Sequence, residues 1–434
     1  LPSMNKQNRT IVHRLPFYYG WVIVGMAAWA VFLSGPGQTY SVSIFIDAYV
    51  EEFGWSRSLV SGLYSGATFA SGLLMIYMGR MVDRFGQRWM SVAAGTMLGI
   101  ACLINSWIMG PIMLLLGFFM IRLFGQGVME LVPNTLVPQW FEKKRGRAFA
   151  YMEVGGFVSS AALPPLNVWL IAQFGWDGAW QFWALILLVT YVPFALLLIR
   201  NRPEDYGLEP DTGQTLHRKN EETAVAKEPD TTAEASAKND WTLQQAMRSC
   251  TFWGVLFCIG VPALVNTGLT FHMVSILGEQ GLSRGESAFI LSMMAMISFP
   301  VSFMAGFMIE RLSVHRLFAF VFVLEAVALL SLLFTTSFAG AAAFGILRGV
   351  AGGFGTICIA MIIPTFFGRT HLGSLKGAGM TTTVIASSLG PLPFGLAFDW
   401  FGGYSEILIV TLVLPLLAMI VAWKNPAPHS AEPA

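Results

Sequence analysis

The sequence predicts an all-α integral membrane protein, with twelve transmembrane helices in two pseudo-symmetric six-helix bundles. Composition identifies the solvent: of 434 residues, 55% are hydrophobic and only 12% charged, and the mean hydropathy is +0.61. Soluble domains carry about a quarter charged residues, so this chain lacks the polar surface to wet a particle of its size. Length sets the number of crossings, because each helical passage takes roughly 20 apolar residues plus a connection. The apolar runs are long and lack period-2 alternation, which excludes a transmembrane barrel. A net charge of +1 gives no reason to invoke nucleic acid.

Residues 1–16 read as an N-terminal tail, within which Leu1-Pro2-Ser3 precede Met4 and are set aside as a remnant. The apolar run beginning near Phe17 continues too far for a signal-peptide core. The first bundle, 17–200, is expected to hold helices at 17–46, 56–79, 89–109, 111–138, 147–173 and 179–199. A linker follows at 201–250, rich in Glu, Lys, Thr, Ala and Asp, with almost no large apolar residue between Leu216 and Trp241. The second bundle, 251–424, is expected at 252–278, 286–309, 315–336, 339–364, 376–399 and 404–423, before a tail at 425–434. With a cytoplasmic N-terminus, outer loops hold Arg57 and Arg284, the membrane holds Arg122 and Arg348, and the other 22 of 26 Lys and Arg face inward. That asymmetry places both termini in the cytoplasm of a multi-pass inner (plasma) membrane protein. Cys102, Cys250, Cys258 and Cys358 have no paired spacing and read as buried hydrophobes.

The halves repeat in one register. Gly79, Asp83 and Arg84 correspond to Gly306, Glu310 and Arg311 at an offset of 227, and Gly146 and Pro164 to Gly373 and Pro391 at the same offset. Arg122, Pro138 and Phe141 find Arg348, Pro364 and Phe367 at 226. A duplicated six-helix unit places a substrate cavity between the copies, near the bilayer midplane.

The run Gly79-Arg80-Met81-Val82-Asp83-Arg84-Phe85-Gly86-Gln87-Arg88, after the second helix, closely resembles the signature of the major facilitator superfamily. Gly79 and Gly86 permit a tight turn, while Asp83, Arg84 and Arg88 can pair at neighbouring helix ends and stabilise one state of a gate. Trp140-Phe141-Glu142-Lys143-Lys144-Arg145-Gly146-Arg147-Ala148, then Gly155-Gly156, Pro164-Pro165 and Phe174-Gly175-Trp176 carry a closer likeness. With Arg200 to Gly207, Arg348-Gly349, Gly390-Pro391 and Asp399, they resemble the monocarboxylate transporter and oxalate/formate exchanger branch across roughly 17–423. The resemblance implies alternating-access transport of a monocarboxylate or related organic anion, coupling to protons, and no cofactor. One departure stands out: that branch commonly places a cation within helix 8 or 11. Here helix 8, Glu286 to Ile309, holds no Lys or Arg, and Lys376 stands only at the end of helix 11.

Inside the membrane, Arg122 and Arg348 occupy matching positions in helices 4 and 10. Such charges are costly and need a carboxylate, carbonyl, water or substrate partner. Each can bond neighbouring helices structurally; if the substrate is anionic, Arg348 is the preferred cation. Glu130 and Glu153 lie at similar depths on helices joined by a short turn, where two carboxylates could share one proton or pair with Arg145 or Arg147. Glu325 is expected to be peripheral, since the third helix of each three-helix unit usually is in this superfamily. His272 is either a third proton-coupling candidate or a satisfied polar residue at an outer helix end. The break Gly35-Pro36-Gly37-Gln38-Thr39-Tyr40 can free backbone groups to a cavity or act as a hinge. Tyr40, Asn134, Asn266, Phe271 and His272 complete the substrate-contact candidates.

No Walker sequence, zinc-spaced Cys/His group or catalytic pair stands out, and the glycines of helices 4 and 10 fit close helix approach better than phosphate cradling. The expectation is a transporter, monomeric, with a small-molecule substrate and protons as partners and no metal. The alternative is a proton-coupled carrier or exporter of an amphipathic neutral, zwitterionic or cationic compound, favoured by the absent helix 8 cation, by Glu130 and Glu153, and by 34 Phe and 14 Trp.

Overall fold

The computed structural model describes residues 16–141, 144–211, 241–309, 313–368 and 372–425. Among these the chain is helical throughout, without strands. The reason is the lipid solvent: with no water to satisfy backbone N–H and C=O groups, each passage must close its own hydrogen bonds.

The first crossing is α1, Gly20–Leu33, and α2, Thr39–Phe53, separated by a 3-10 turn at Gly35–Gly37. The second is α3, Arg57–Phe85, whose N-cap Ser56 accepts from the Leu59 N–H. Gly86, at φ 78°, joins it directly to α4, Gln87–Ser106. A Cβ at Gly86 would lie 2.6 Å from the Asn201 amide nitrogen, so the turn needs glycine for its backbone and for space. The fourth crossing comprises α5, Pro111–Met120, a π-helical segment at Ile121–Val128, and α6, Met129–Trp140.

Helical bonding then runs through α7, Arg145–Ile186, but Gly175 at φ 77° reverses the chain and makes two crossings of it. The second of these ends, after a π-helical turn at Leu187–Tyr191, in α8, Val192–Leu198. A short α9, Leu243–Met247, with a Thr242/Gln245 capping box, leads into the second half. Its crossings are α10, Cys250–Glu279; α11, Arg284–Ile309; α12, Val314–Leu333; α13, Phe338–Phe367; the pair α14, Leu372–Leu389, and α15, Pro391–Phe401; and α16, Ser405–Lys424.

Ten helical stretches are long and apolar enough to cross a membrane, one of them the doubled Arg147–Leu198. With α3, which is long enough but carries Arg80, Asp83 and Arg84 near its end, the crossings among the described residues number twelve. Packing within each half follows the small residues. Gly353 of α13 sits so close to α11 that a Cβ would lie 2.6 Å from the Ser298 carbonyl oxygen, and Gly349 would meet the Met294 oxygen at 2.8 Å. In the first half, Trp180 donates to Tyr49 at 2.7 Å, and Trp183 to Asn167, which donates to Ser41, each at 2.8 Å. These bonds fasten α7 to α2 where no water competes.

Tyr18 and Gly20 meet Trp140 and Phe141, while Asn425 donates to the Thr251 carbonyl. The entry to α1 and the end of α16 thus lie at the end of the molecule that bears the α3–α4 turn. Cys102, Cys258 and Cys358 are buried as expected, but Cys250 is exposed, because it opens α10 at that same end.

Candidate functional site

The break in the first crossing is held open by Arg122. Its Nη1 donates to the Gly37 carbonyl at 3.1 Å and to Thr39 Oγ1 at 3.4 Å, and its guanidinium lies over the Tyr64 ring, 5.1 Å from the centroid. The 3-10 turn presses on the π-helical segment: a Cβ at Gly37 would be 2.8 Å from the Gly125 Cα. Two irregular backbones therefore support one another, and Arg122 satisfies the carbonyl that the break frees.

Across the molecular pseudo-axis, Arg348 of α13 does a related job with different partners. Its Nη2 donates to Asn266 Oδ1 of α10 at 3.0 Å, and its Nη1 lies 3.2 Å from Glu325 Oε1 of α12. The repeat register explains the likeness. Asn266 stands 227 positions after Thr39, as Arg348 stands 226 after Arg122, so each arginine reaches the matching place on the first helix of its half. The register also isolates the difference, since the position 227 before Glu325 is Leu98. The carboxylate belongs to the second half alone.

Arg348, Asn266 and Glu325 line a cavity of about 470 Å³ between the halves, faced from the first half by Gln38, Thr39, Tyr40, Gln126 and Ser160. Side-chain exposure is 7% for Arg348 and 1% for Glu325, so the pair is shielded from bulk solvent. Neither Glu325 oxygen receives a well-aligned hydrogen bond, and Arg348 Nε is also unpaired. A buried ion pair with this much unused capacity is held by charge more than by geometry, and it can exchange partners. Opposite it, Tyr40 donates to Ser159 at 2.9 Å, and Gln38 donates to Glu130 Oε1 at 2.5 Å.

A second chamber of about 400 Å³ continues from the first, sharing Ser160, Ala295, Ser298 and Thr356 with it. It holds Glu153, Phe157, Phe299 and Phe303. Glu153 lies eight residues into α7, ~12 Å from its start, so the chamber runs toward the end that bears the α3–α4 turn.

The opposite end is sealed. Arg57 Nη1 contacts Asp47 Oδ1 at 2.7 Å and Ser275 Oγ at 2.5 Å, and Ser275 donates to Asp47 at 2.6 Å. The Arg57 guanidinium also covers the Phe398 ring, 4.6 Å from its centroid. Asp399 of α15 accepts from the backbone N–H groups of Arg57 and Ser58, capping the positive end of α3 from the other half. Arg284 pairs with Glu51. His272 lies deeper in the same seal, with Nε2 at 3.0 Å from Ser61 Oγ and 3.1 Å from the Pro391 carbonyl, and Nδ1 at 3.0 Å from Tyr404 OH. Pro391 can only accept, so in the neutral ring Nε2 carries the hydrogen and Nδ1 accepts from Tyr404.

Of the residues singled out in the sequence, the structure brings Tyr40, Asn266 and Arg348 together at the first chamber and puts Glu153 in the second. Glu130 is within electrostatic reach of Glu153 and Arg122. Three substrate-contact candidates fall elsewhere. Asn134 is exposed and donates to the Glu130 carbonyl. Phe271 is buried against Tyr64, 4.4 Å between centroids, and His272 is part of the seal. Helix rotation is the reason, since Phe271 and His272 follow Asn266 by more than a turn and face α3 and α15. Arg88 bonds the Leu196 carbonyl, tying α4 to α8. The Asp83 side chain, Glu310 and Arg311 lie outside the described residues. Glu325, expected to be peripheral, instead forms part of the cavity wall. Gln38, Gln126 and the Asp47–Arg57–Ser275 cluster were not anticipated; for Glu325 the available signal was an acid and an arginine at membrane depth on consecutive helices.

A family model described as the Major Facilitator Superfamily matches residues 27–301. The chain belongs to that superfamily. Within it, the chain is similar to monocarboxylate transporter 4 of Gallus gallus, 25% identical over 413 residues that cover 91% of this chain and 82% of the relative. It is also similar to monocarboxylate transporter 2 of Homo sapiens, at 21% over 408 residues covering 89% and 81%. A bacterial homologue of the human lysosomal transporter Spinster, solved inward-facing and unoccupied, has the same fold, with a TM-score of 0.69 at 16% identity over 94% of this chain and 97% of that one. As a major facilitator, the protein is a multi-pass membrane transporter of a small molecule and not an enzyme. The superfamily's two-bundle architecture accounts for a cavity walled by both halves and closed at one end.

Proposed function

We propose that this transporter carries a monocarboxylate or related organic anion together with a proton by alternating access. The observation that carries the reading is the Glu325–Arg348 pair on the cavity wall. A substrate carboxylate entering the chamber competes with Glu325 for the arginine. Once displaced, a buried carboxylate without its counter-charge is held as the neutral acid, so binding one anion takes up one proton. The two charges cancel, and the loaded carrier crosses its midpoint without a net buried charge. Likeness to proteins named monocarboxylate transporters supports the substrate class.

The repertoire of positive charge supports cytoplasmic termini in an inner (plasma) membrane; the sealed Arg57 end is then external and the cavity faces inward. In this orientation the Asp83 turn is a cytoplasmic gate, and Asp83→Asn slows exchange while leaving insertion intact. The carrier works as a monomer, each chain holding a whole cavity. Proteoliposomes test the central reading. Carboxylate accumulation driven by an acid exterior, lost in Glu325→Gln while counterflow persists, supports it; accumulation unaltered by Glu325→Gln removes Glu325 from coupling.

One observation favours a second reading. Arg348 is already neutralised by Glu325, whereas among the described residues Glu130 and Glu153 have no comparable ion pair, so an amphipathic cation or zwitterion also finds charge complementarity. Tight binding of amines with indifference to carboxylates would select it.

A further inference from the structure

The two chambers differ in character. The first presents Arg348, Asn266, Gln38, Tyr40 and Gln126, whereas the second gathers Phe157, Phe299 and Phe303 with Ile357 and two alanines, alongside small hydroxyls and the carboxylate of Glu153. Phe157 of α7 stacks on Phe299 of α11, with centroids 4.4 Å apart and planes at 24°, and Phe299 meets Phe303 edge-on at 5.2 Å. This three-ring ladder joins the halves beside the transport path. It is not screened from the charged chamber, because Ser298 and Thr356 belong to both.

Distance along the helix decides what could fill both. Thr356 lies eight residues beyond Arg348 on α13, a rise of ~12 Å. A three-carbon acid is only ~5 Å long. Anchored by its carboxylate at Arg348, it would leave the aromatic chamber untouched. Solvent-facing phenylalanines gain nothing from water, while a flat apolar body stacked among them gains both burial and ring geometry.

We propose that the preferred substrate is a carboxylate bearing an aromatic or comparably bulky apolar body, its carboxylate at Arg348 and Asn266 and its ring in the chamber of Phe157, Phe299 and Phe303. This rests on the carboxylate reading of Arg348 and adds the specificity determinant that reading lacks. The ring supplies affinity and the carboxylate supplies register, so short acids are weak substrates because they use only half the site.

The test is a binding series on the purified full-length protein, using propanoate, 4-methylpentanoate, 5-phenylpentanoate, which is about 10 Å long, and the neutral 5-phenylpentan-1-ol. Affinity is expected to rise at least about tenfold from propanoate to 5-phenylpentanoate. Phe303→Ala should reduce that gain, and Phe303→Leu should retain an intermediate affinity. Equal affinity for propanoate and 5-phenylpentanoate, both weakened by Arg348→Gln, overturns the aromatic subsite and leaves the carboxylate reading standing. If the alcohol binds as tightly as the acid, the carboxylate reading fails and the proposal with it. The ligand series on the unmodified protein decides the matter even if a phenylalanine variant fails to fold.

Discussion

Glu325 and Arg348 approach to 3.2 Å from consecutive crossings, α12 and α13, and form an ion pair at the wall of the cavity between the two halves. Asn266, from a third helix, fixes the guanidinium from its other side. The pair makes one arginine available to an incoming anion without leaving it uncompensated in the empty carrier.

Removing either member should therefore cost stability. Arg348→Gln leaves Glu325 buried without a counter-charge, which the site relieves by taking up a proton, so the loss should be about 1–3 kcal/mol. The double variant Glu325→Gln/Arg348→Gln should recover most of it. Thermal unfolding of both single variants and the double variant at pH 7 measures the coupling, and strictly additive losses would mean that the two side chains do not interact.

Carboxylate recognition separates charge from geometry. Arg348→Gln should weaken binding by roughly 10–100-fold, the value of a charge-assisted hydrogen bond. Arg348→Lys should fall between, because it keeps the charge but loses the planar fork. Ligand titration reads both, and unchanged affinity in Arg348→Gln would dissociate this arginine from the substrate.

Glu130 provides a control for the coupling site. Glu130→Gln keeps an acceptor for the Gln38 amide but cannot carry a proton, so folding should persist. If pH-driven accumulation survives in Glu130→Gln and in Glu153→Gln but fails in Glu325→Gln, coupling resides in the second half. Loss in Glu130→Gln alone would move it to the first crossing's break.

Arg57 ties α3 to α2 within its own half and to Ser275 and Phe398 of the other. Arg57→Ala should favour the state open at that end. A cysteine in place of Thr270, on the cavity wall, should then react about 5–10-fold faster with an impermeant thiol reagent supplied from the Arg57 side, a population shift worth ~1 kcal/mol. An unchanged labelling rate would show that this cluster does not hold the seal.

Gly37→Ala should perturb the broken crossing by about 1–3 kcal/mol, since the new Cβ would press on the Gly125 Cα and the Gln126 nitrogen, which are backbone atoms and cannot rotate away. Lower thermal stability with slower exchange is expected. Wild-type behaviour would mean that the 3-10 turn and the π-helical segment separate easily.

The sequence alone determined what the solvent imposes. Lipid demands long apolar runs with self-satisfied backbones, so the number of crossings and the parallel duplication of the two halves could be read from hydropathy and register. The need for glycine at Gly86 and close helix approach at Gly353 were legible for the same local reason, that a Cβ has nowhere to go. Tertiary structure decided which polar groups meet. Hydropathy does not fix how each helix is rotated about its axis, and the decisive contacts join residues far apart in the chain, such as Gln38 with Glu130, 92 positions apart, and Ser61 with His272, 211 apart. Glu325 was consequently assigned to the periphery, and His272 was left open between substrate, proton coupling and a satisfied polar place at an outer helix end, whereas packing put the first on the cavity wall and the second, with both ring nitrogens bonded, in the seal. A membrane charge announces in sequence that it needs a partner, but the partner is chosen by the folded geometry.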